Sequence, residues 1–203
     1  MELIMNLSVL SQGVVGGFRD QYGRDIERLW HERPVLMVFL RHAGCTFCRE
    51  TLGRLAGVRE EIEQAGTAIV AVHMSRDSRA QRLFELYGLA DLPRISDPEC
   101  RLYRMFGLRR GTPWQVFGPK VIGRGMRALL AGYGIGALEG DGFQLPGAFL
   151  VFRGRILKAF RAEHAADQTD FSAMKPAPGE VSSGDQATGG ADEPDGGDQS
   201  QGV

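Results

Sequence analysis

The stretch Val35-Leu36-Met37-Val38-Phe39-Leu40-Arg41-His42-Ala43-Gly44-Cys45-Thr46-Phe47-Cys48 limits what this chain can become. Its unbroken apolar run starts after Pro34 and ends at polar residues and Gly44, which predicts a buried strand. Cys-x-x-Cys follows at once, and Arg49 to Ala65 reads as a helix. The cysteines therefore enter the first turn of a helix, where free backbone N–H groups and the positive dipole end favour thiolate over thiol. Arg41, His42 and Arg49 add candidate positive charge nearby. Cys45, the more N-terminal thiol and expected to be the more exposed, is the candidate attacking thiolate. Cys48, deeper in the first turn, is placed to close a disulfide with it.

Composition narrows the setting. With 203 residues and 43% hydrophobic content, the chain can bury one full core or two small ones. A net charge of −1 gives no global reason to expect nucleic acid or an anionic membrane as partner. Three cysteines, two of them in one tight motif, are not a secreted disulfide framework and suit a reducing compartment. A zinc site needs about four ligands. Cys100 and four scattered histidines offer no second paired spacing, so a metal is not expected; with a thiol reductant to restore the pair, no bound cofactor is expected either. Met1 to Asn6 lacks a basic lead, and Asn6, Ser8, Ser11 and Gln12 break the apolar run that follows. Neither a signal peptide nor a membrane span is expected, and the reading is a soluble cytoplasmic protein.

Taken in order, Val14-Val15 and Phe18 to Asp20 suggest a short hairpin or edge strand, and Ile26, Leu29 and Trp30 fit one turn of helix. Thr51, Leu55, Val58, Ile62 and Ala65 keep a helical period until Gly66. Thr67 to His73 is a second buried strand. Ser75 or Asp77 is placed to cap a helix with Ala80, Leu83, Phe84 and Tyr87 on one face. Leu92 to Ser96 reads as a short strand, and Asp97-Pro98 starts a helix through Leu102, Met105 and Phe106. Residues 108–142 interrupt this α/β alternation. There Pro119 opens an amphipathic helix with Ile122, Met126, Leu129 and Leu130 on one side and Lys120, Arg124 and Arg127 on the other. The glycines Gly132, Gly134, Gly136 and Gly140 follow a helix rather than a strand, so they read as loop and not as a dinucleotide cradle. Residues 148–152 and 155–160 form a hairpin around Gly154, and Asp167 is placed to cap a short last helix. Residues 172–203, rich in Gly, Ser, Pro, Asp and Gln, read as a disordered acidic tail behind a domain of residues 1–171.

Cys-x-x-Cys between strand and helix, then β-α and a hairpin preceded by proline, resembles the thioredoxin fold. Phe39 to Glu50 resembles the active-site strand and helix of the peroxiredoxin-like proteins related to selenoprotein L, in the alkyl hydroperoxide reductase/thiol-specific antioxidant superfamily. Ser96-Asp97-Pro98 with Leu102-Tyr103 and Phe106-Gly107 is similar to another segment of that superfamily. Pro119 to Ile122, Gln144 to Val151 and His164 to Asp167 match in the same order. The resemblance implies an α/β thioredoxin-like (peroxiredoxin-like) fold with a central mixed sheet flanked by helices. It also shows departures: His42 stands where the usual motif has threonine and Val38 where it has proline. Gln144-Leu145-Pro146 stands where the catalytic arginine precedes its strand. Pro146 in turn suits the cis-proline that faces the cysteine pair in thioredoxin-like proteins.

The leading functional expectation is a thiol-dependent redox enzyme. Cys45 attacks a peroxide or a disulfide, Cys48 resolves the product, and a thioredoxin or glutathione-type reductant restores the pair. The short spacing and the missing threonine and arginine favour disulfide exchange, whereas the resemblance favours peroxide. The other reading is a non-catalytic redox-responsive binding module in which the pair senses oxidation and residues 108–142 or the tail engage a partner. Cys100 reads as a small buried residue rather than a resolving thiol, and His164 as a surface or capping residue. The resemblance also leaves a homodimer open.

Overall fold

The computed structural model describes residues 17–136 and 139–177. The apolar run forms β1 (Val35–Phe39), and every one of its residues is buried. β2 (Ala68–His73) and β3 (Arg94–Ser96) extend the sheet on one side in parallel, and β4 (Gly147–Phe152) and β5 (Arg155–Arg161) extend it antiparallel on the other. The order β3-β2-β1-β4-β5 is a mixed sheet with β1 at its centre. The mixed sheet flanked by helices is the one the resemblance implied.

A central strand needs apolar residues on both faces because side chains alternate across the pleat. Leu36 and Val38 pack with Leu52, Leu55 and Ile62 of α2 (Thr46–Gln64) and with Leu83 and Phe84 of α3 (Asp77–Leu86). Val35, Met37 and Phe39 pack on the opposite face with Trp30 of α1 (Ile26–Glu32) and with Tyr103 of α4 (Arg101–Met105). The Phe39 ring stands edge-on to Tyr103 at 5.1 Å and to Phe149 at 5.5 Å. Tyr103 carries its hydroxyl through this core to the Leu40 carbonyl and, at 3.1 Å, to the Val72 carbonyl. Those bonds tie the C-terminal ends of β1 and β2 directly beneath the cysteine turn.

Several boundaries differ from expectation. α2 begins at Thr46 rather than Arg49, so the residues between the cysteines are already helical. Arg76, not Ser75 or Asp77, is the N-cap of α3, and its side chain caps nothing. The Ser75 hydroxyl instead accepts the Ala43 N–H at 2.9 Å, and Asp77 pairs with the buried Arg94. Asp97 starts α4 from a distance, its carboxylate accepting the N–H groups of Arg101 and Leu102. α5 (Pro113–Phe117) was not legible as a helix, though Thr112 and Gln115 close a capping box around it. Asp167 caps no helix; its carboxylate accepts the backbone N–H groups of Glu163 and His164 in a turn. Phe18 is buried and Arg19 bridges Asp25, while Val14 and Val15 lie outside the described residues. The packed chain also runs beyond residue 171: Met174 is buried and Lys175 pairs with Glu61. Residues 178–203, most of the expected tail, lie outside the described residues.

α6 (Pro119–Leu130) starts at Pro119 as expected but packs by neither of the two sides its amphipathic pattern marks. Its buried residues are Val121 and Ala128, and Gly125 faces Phe47 of α2, where an added Cβ would stand 3.6 Å from the ring. The larger Ile122, Met126, Leu129 and Leu130 are exposed. Small residues at i, i+4 and i+7 let the helix approach closely, and that fit turned the bulkier stripe outward.

Candidate active site

Cys45 occupies the N-cap of α2 in extended conformation, and Cys48 lies three residues on in the first turn. Both are free thiols and both are buried, Cys45 at 6% exposure and Cys48 at 3%. Cys45 is thus not the exposed thiol its position suggested. The glycine-dense loop closes over it: the Gly136 N–H donates to the Gly44 carbonyl at 3.0 Å, and Thr46 Oγ1 donates to the Gly134 carbonyl at 2.9 Å. A Cβ on Gly136 would stand 2.9 Å from Gly44 Cα, so the loop backbone fits there only without a side chain.

The two thiols are driven apart electrostatically. The Cys48 thiol donates to the Cys45 sulfur and lowers its pKa; burial opposes this, and the Arg41 guanidinium and the Cys48 and Phe47 N–H groups lower it further, to about 6. Burial raises Cys48, and its bond to Cys45 and the charge there push it higher still. At neutral pH the pair therefore holds one thiolate, on Cys45, and one proton, on Cys48.

Arg41 is the residue that composes this site. It is buried rather than a surface arginine. Its backbone N–H meets Cys48 Sγ at 3.1 Å, and Nη1 of its guanidinium meets Cys45 Sγ at 3.5 Å. Nε donates to the Gln144 carbonyl at 3.0 Å and Nη2 to the Gly142 carbonyl, which fix the group's plane. The segment before β4 lacks an arginine of its own, yet its carbonyls hold one supplied from two residues past the end of β1. The signal in the sequence was that very gap, together with an arginine four residues before Cys45. Which carbonyls would hold Arg41 was not legible, because they lie 101 and 103 residues away.

The remaining candidates divide. His42 is buried, and desolvation with the neighbouring Arg41 charge lowers its pKa to about 4, so it supplies no cation at neutral pH. Its carbonyl accepts the Cys45 N–H at 3.0 Å and closes the turn. Its Nδ1 is buried with no hydrogen-bond partner among the described residues. Arg49 does not reach the sulfurs; it lines a cleft of about 210 Å3 with Ala43, Gly44, Arg79, Arg82 and Gly136. Pro146 is at the site's edge but is trans, as are all described peptide bonds. The Leu145 N–H is bonded to Arg109 and the Pro146 carbonyl to Ala162, so the chain runs extended into β4 with no turn to favour the cis form. Cys100 packs apart from the pair, with its thiol 3.2 Å from Met74 Sδ. His164 is half-buried rather than a surface residue, its Nδ1 3.6 Å from the Asp167 carboxylate and without a hydrogen-bond partner among the described residues. Among the described residues no cluster of three or more His, Cys, Asp or Glu is placed to hold a metal.

A family model described as AhpC/TSA antioxidant enzyme matches residues 54–164, more than half of the chain. That span begins beyond both thiols, so the geometry above is what speaks for them. Peroxiredoxin-like 2A of Xenopus tropicalis is 27% identical over 153 residues, covering 72% of this chain and 63% of that protein. Human peroxiredoxin-like 2A is 26% identical over 152 residues, 71% of this chain and 62% of that one. The match thus spans less than two thirds of the length of these two relatives. Prostamide/prostaglandin F synthase of Salmo salar is 26% identical over 149 residues, with 70% and 73% covered. Among solved structures, peroxidoxin BcpB from Mycobacterium tuberculosis superposes with a TM-score of 0.52 at 18% identity, covering 74% of this chain and 82% of that one. A PrxQ mutant from Xylella fastidiosa gives 0.54 at 12% identity, with 74% and 81% covered. These structures bear on the fold.

Proposed function

The chain belongs to the AhpC/TSA antioxidant enzyme family, and from that premise we propose that it is a thiol peroxidase in which Cys45 attacks and Cys48 resolves. Family membership supports a thiol-dependent redox enzyme over a passive sensor. The observation that carries the peroxide assignment is the Arg41 guanidinium, 3.5 Å from Cys45 Sγ and held by two backbone carbonyls. A fixed cation there stabilises the thiolate and then the oxygen that leaves with negative charge, without reorganising during the reaction. A thiolate only 6% exposed also suits a small substrate better than a protein disulfide.

The Cys45 thiolate attacks one peroxide oxygen, the O–O bond breaks, and the pair becomes a sulfenic acid and an alkoxide or hydroxide that takes a proton from solvent. Cys48 then attacks the Cys45 sulfur. Its own proton leaves with the hydroxyl as water, and a Cys45–Cys48 disulfide remains. Cys48 stays protonated until this step because burial and the Cys45 charge hold its pKa high. A dithiol reductant of the thioredoxin type, or a glutathione-type thiol, returns two electrons to the disulfide. A pair that works from its reduced state suits a reducing compartment, and the cytoplasm is the proposed location.

Rapid mixing of the reduced protein with hydrogen peroxide tests this reading. Thiol loss far faster than for free cysteine is expected, ending in the Cys45–Cys48 disulfide and abolished in Cys45→Ser. Loss at the rate of a free thiol would remove peroxide as substrate.

A further inference from the structure

We propose that the outward face of α5 and α6 docks on an anionic lipid bilayer. Trp114 is 71% exposed, Phe117 62%, Ile122 59%, Met126 60% and Leu130 86%, with Leu129 beside them. On α6 these residues do not intermix with the cations. Val121, Gly125 and Ala128 form the stripe toward the domain, Ile122, Met126 and Leu129 the stripe on one flank, and Lys120, Arg124 and Arg127 the stripe on the other. Leu130 projects between the two flanks. Large apolar side chains edged by cations are the pattern of a helix lying in the plane of a membrane interface, with the cations at headgroup level and tryptophan at the boundary.

The charge selects the occupant. Residues 108–136 contain Arg109, Arg110, Lys120, Arg124 and Arg127 and no Asp or Glu. Lys120 and Arg110 have carboxylate neighbours in Asp167 and Asp141, whereas Arg109, Arg124 and Arg127 have none among the described residues. A second copy would bring like charges together across the same face. Residues 178–203 hold six carboxylates and no cation, but only valine and alanine as apolar residues, so they match the charge and not the apolar area. Residues 1–16 are apolar but carry one carboxylate, Glu2. An anionic bilayer meets both demands. No described helix is long and apolar enough to cross a membrane, so the contact is interfacial.

The full chain carries its own probe, because Trp30 is 1% exposed and Trp114 is the other of its two tryptophans. Vesicles of phosphatidylcholine with phosphatidylserine are expected to shift Trp114 emission to the blue and to co-sediment the protein. Salt is expected to weaken binding. Arg124→Gln with Arg127→Gln is expected to lower affinity by about fivefold per cation, and Leu130→Ser by roughly tenfold. Arg127 and Leu130 are exposed and Arg124 is half-buried, and none of them touches the thiols, so binding is read independently of turnover. The proposal is overturned by no shift with anionic vesicles. Equal, salt-insensitive binding to phosphatidylcholine alone would overturn it too. So would a protein dimer that Leu130→Ser dissolves in the absence of vesicle binding, which would give the face to a second copy.

Discussion

α2 and α6 meet where Gly125 faces Phe47, and they use their apolar residues in opposite ways. α2 turns Leu52, Leu55 and Ile62 into the core at 0–1% exposure and holds the thiols at its start. α6 turns its smallest apolar residues inward and leaves Ile122, Met126 and Leu130 in solvent. Amphipathic periodicity marks both as helices with an apolar face. It does not say which face meets the domain when a stripe of small residues competes with a stripe of large ones. Close packing decides that, because a helix laid against an active-site turn needs short side chains at the contact. The same contrast holds for charge. Beside Cys45 a single buried cation, Arg41, is aimed at the thiolate, whereas on α6 Lys120 and Arg127 are exposed and Arg124 is half-buried along one flank.

Stability separates the two helices most widely. Leu52→Ala is expected to cost about 2–5 kcal/mol in urea denaturation, and Leu130→Ser less than about 0.5 kcal/mol. Similar costs at both positions would show that α6 is packed where the structure leaves it open. Next comes Arg41→Met, expected to slow peroxide-driven thiol loss by about a hundredfold. It should also move the Cys45 titration toward the ordinary thiol value near 8.5, while Arg124→Gln changes neither. An unchanged rate and titration would reduce Arg41 to a packing residue.

A smaller effect is the shape of the pH profile. Iodoacetamide alkylation of Cys45 should rise with pH and reach half its maximum near pH 6, since the thiolate is the reactive form and its pKa is lowered to about 6. An ordinary thiol profile would break the link between the cradle and the charge. The acid limb of stability is read on the whole fold rather than on the two helices. His42 and His73 are held neutral by burial, with pKa values lowered to about 4, so between 6.5 and 4 the unfolded chain binds more protons than the folded one. Stability should therefore fall as pH drops through that window, by at most about 1.4 kcal/mol per pH unit for each histidine. His73→Asn should flatten the limb in urea midpoints taken at pH 7 and pH 4.5. A limb equally steep in that variant would locate the effect elsewhere.

The central strand, the helix that receives the cysteines, the alternation around them, the hairpin and the family could all be read from local pattern. These rest on local signals: a continuous apolar run, a helical period, turn residues beside a strand, and motifs in order. The sequence also singled out Cys45, Cys48 and Arg41. Tertiary structure alone decided that Cys45 is buried, that His42 is neutral, that Pro146 is trans, and that a glycine loop lies over the thiols. It alone decided which face of α6 meets the domain. The net charge of −1 averages a basic segment with an acidic one, and only the folded surface shows which cations stand together. Burial, pKa and orientation depend on partners roughly a hundred residues away, such as Gly142 and Gln144 for Arg41, and no local pattern encodes those distances.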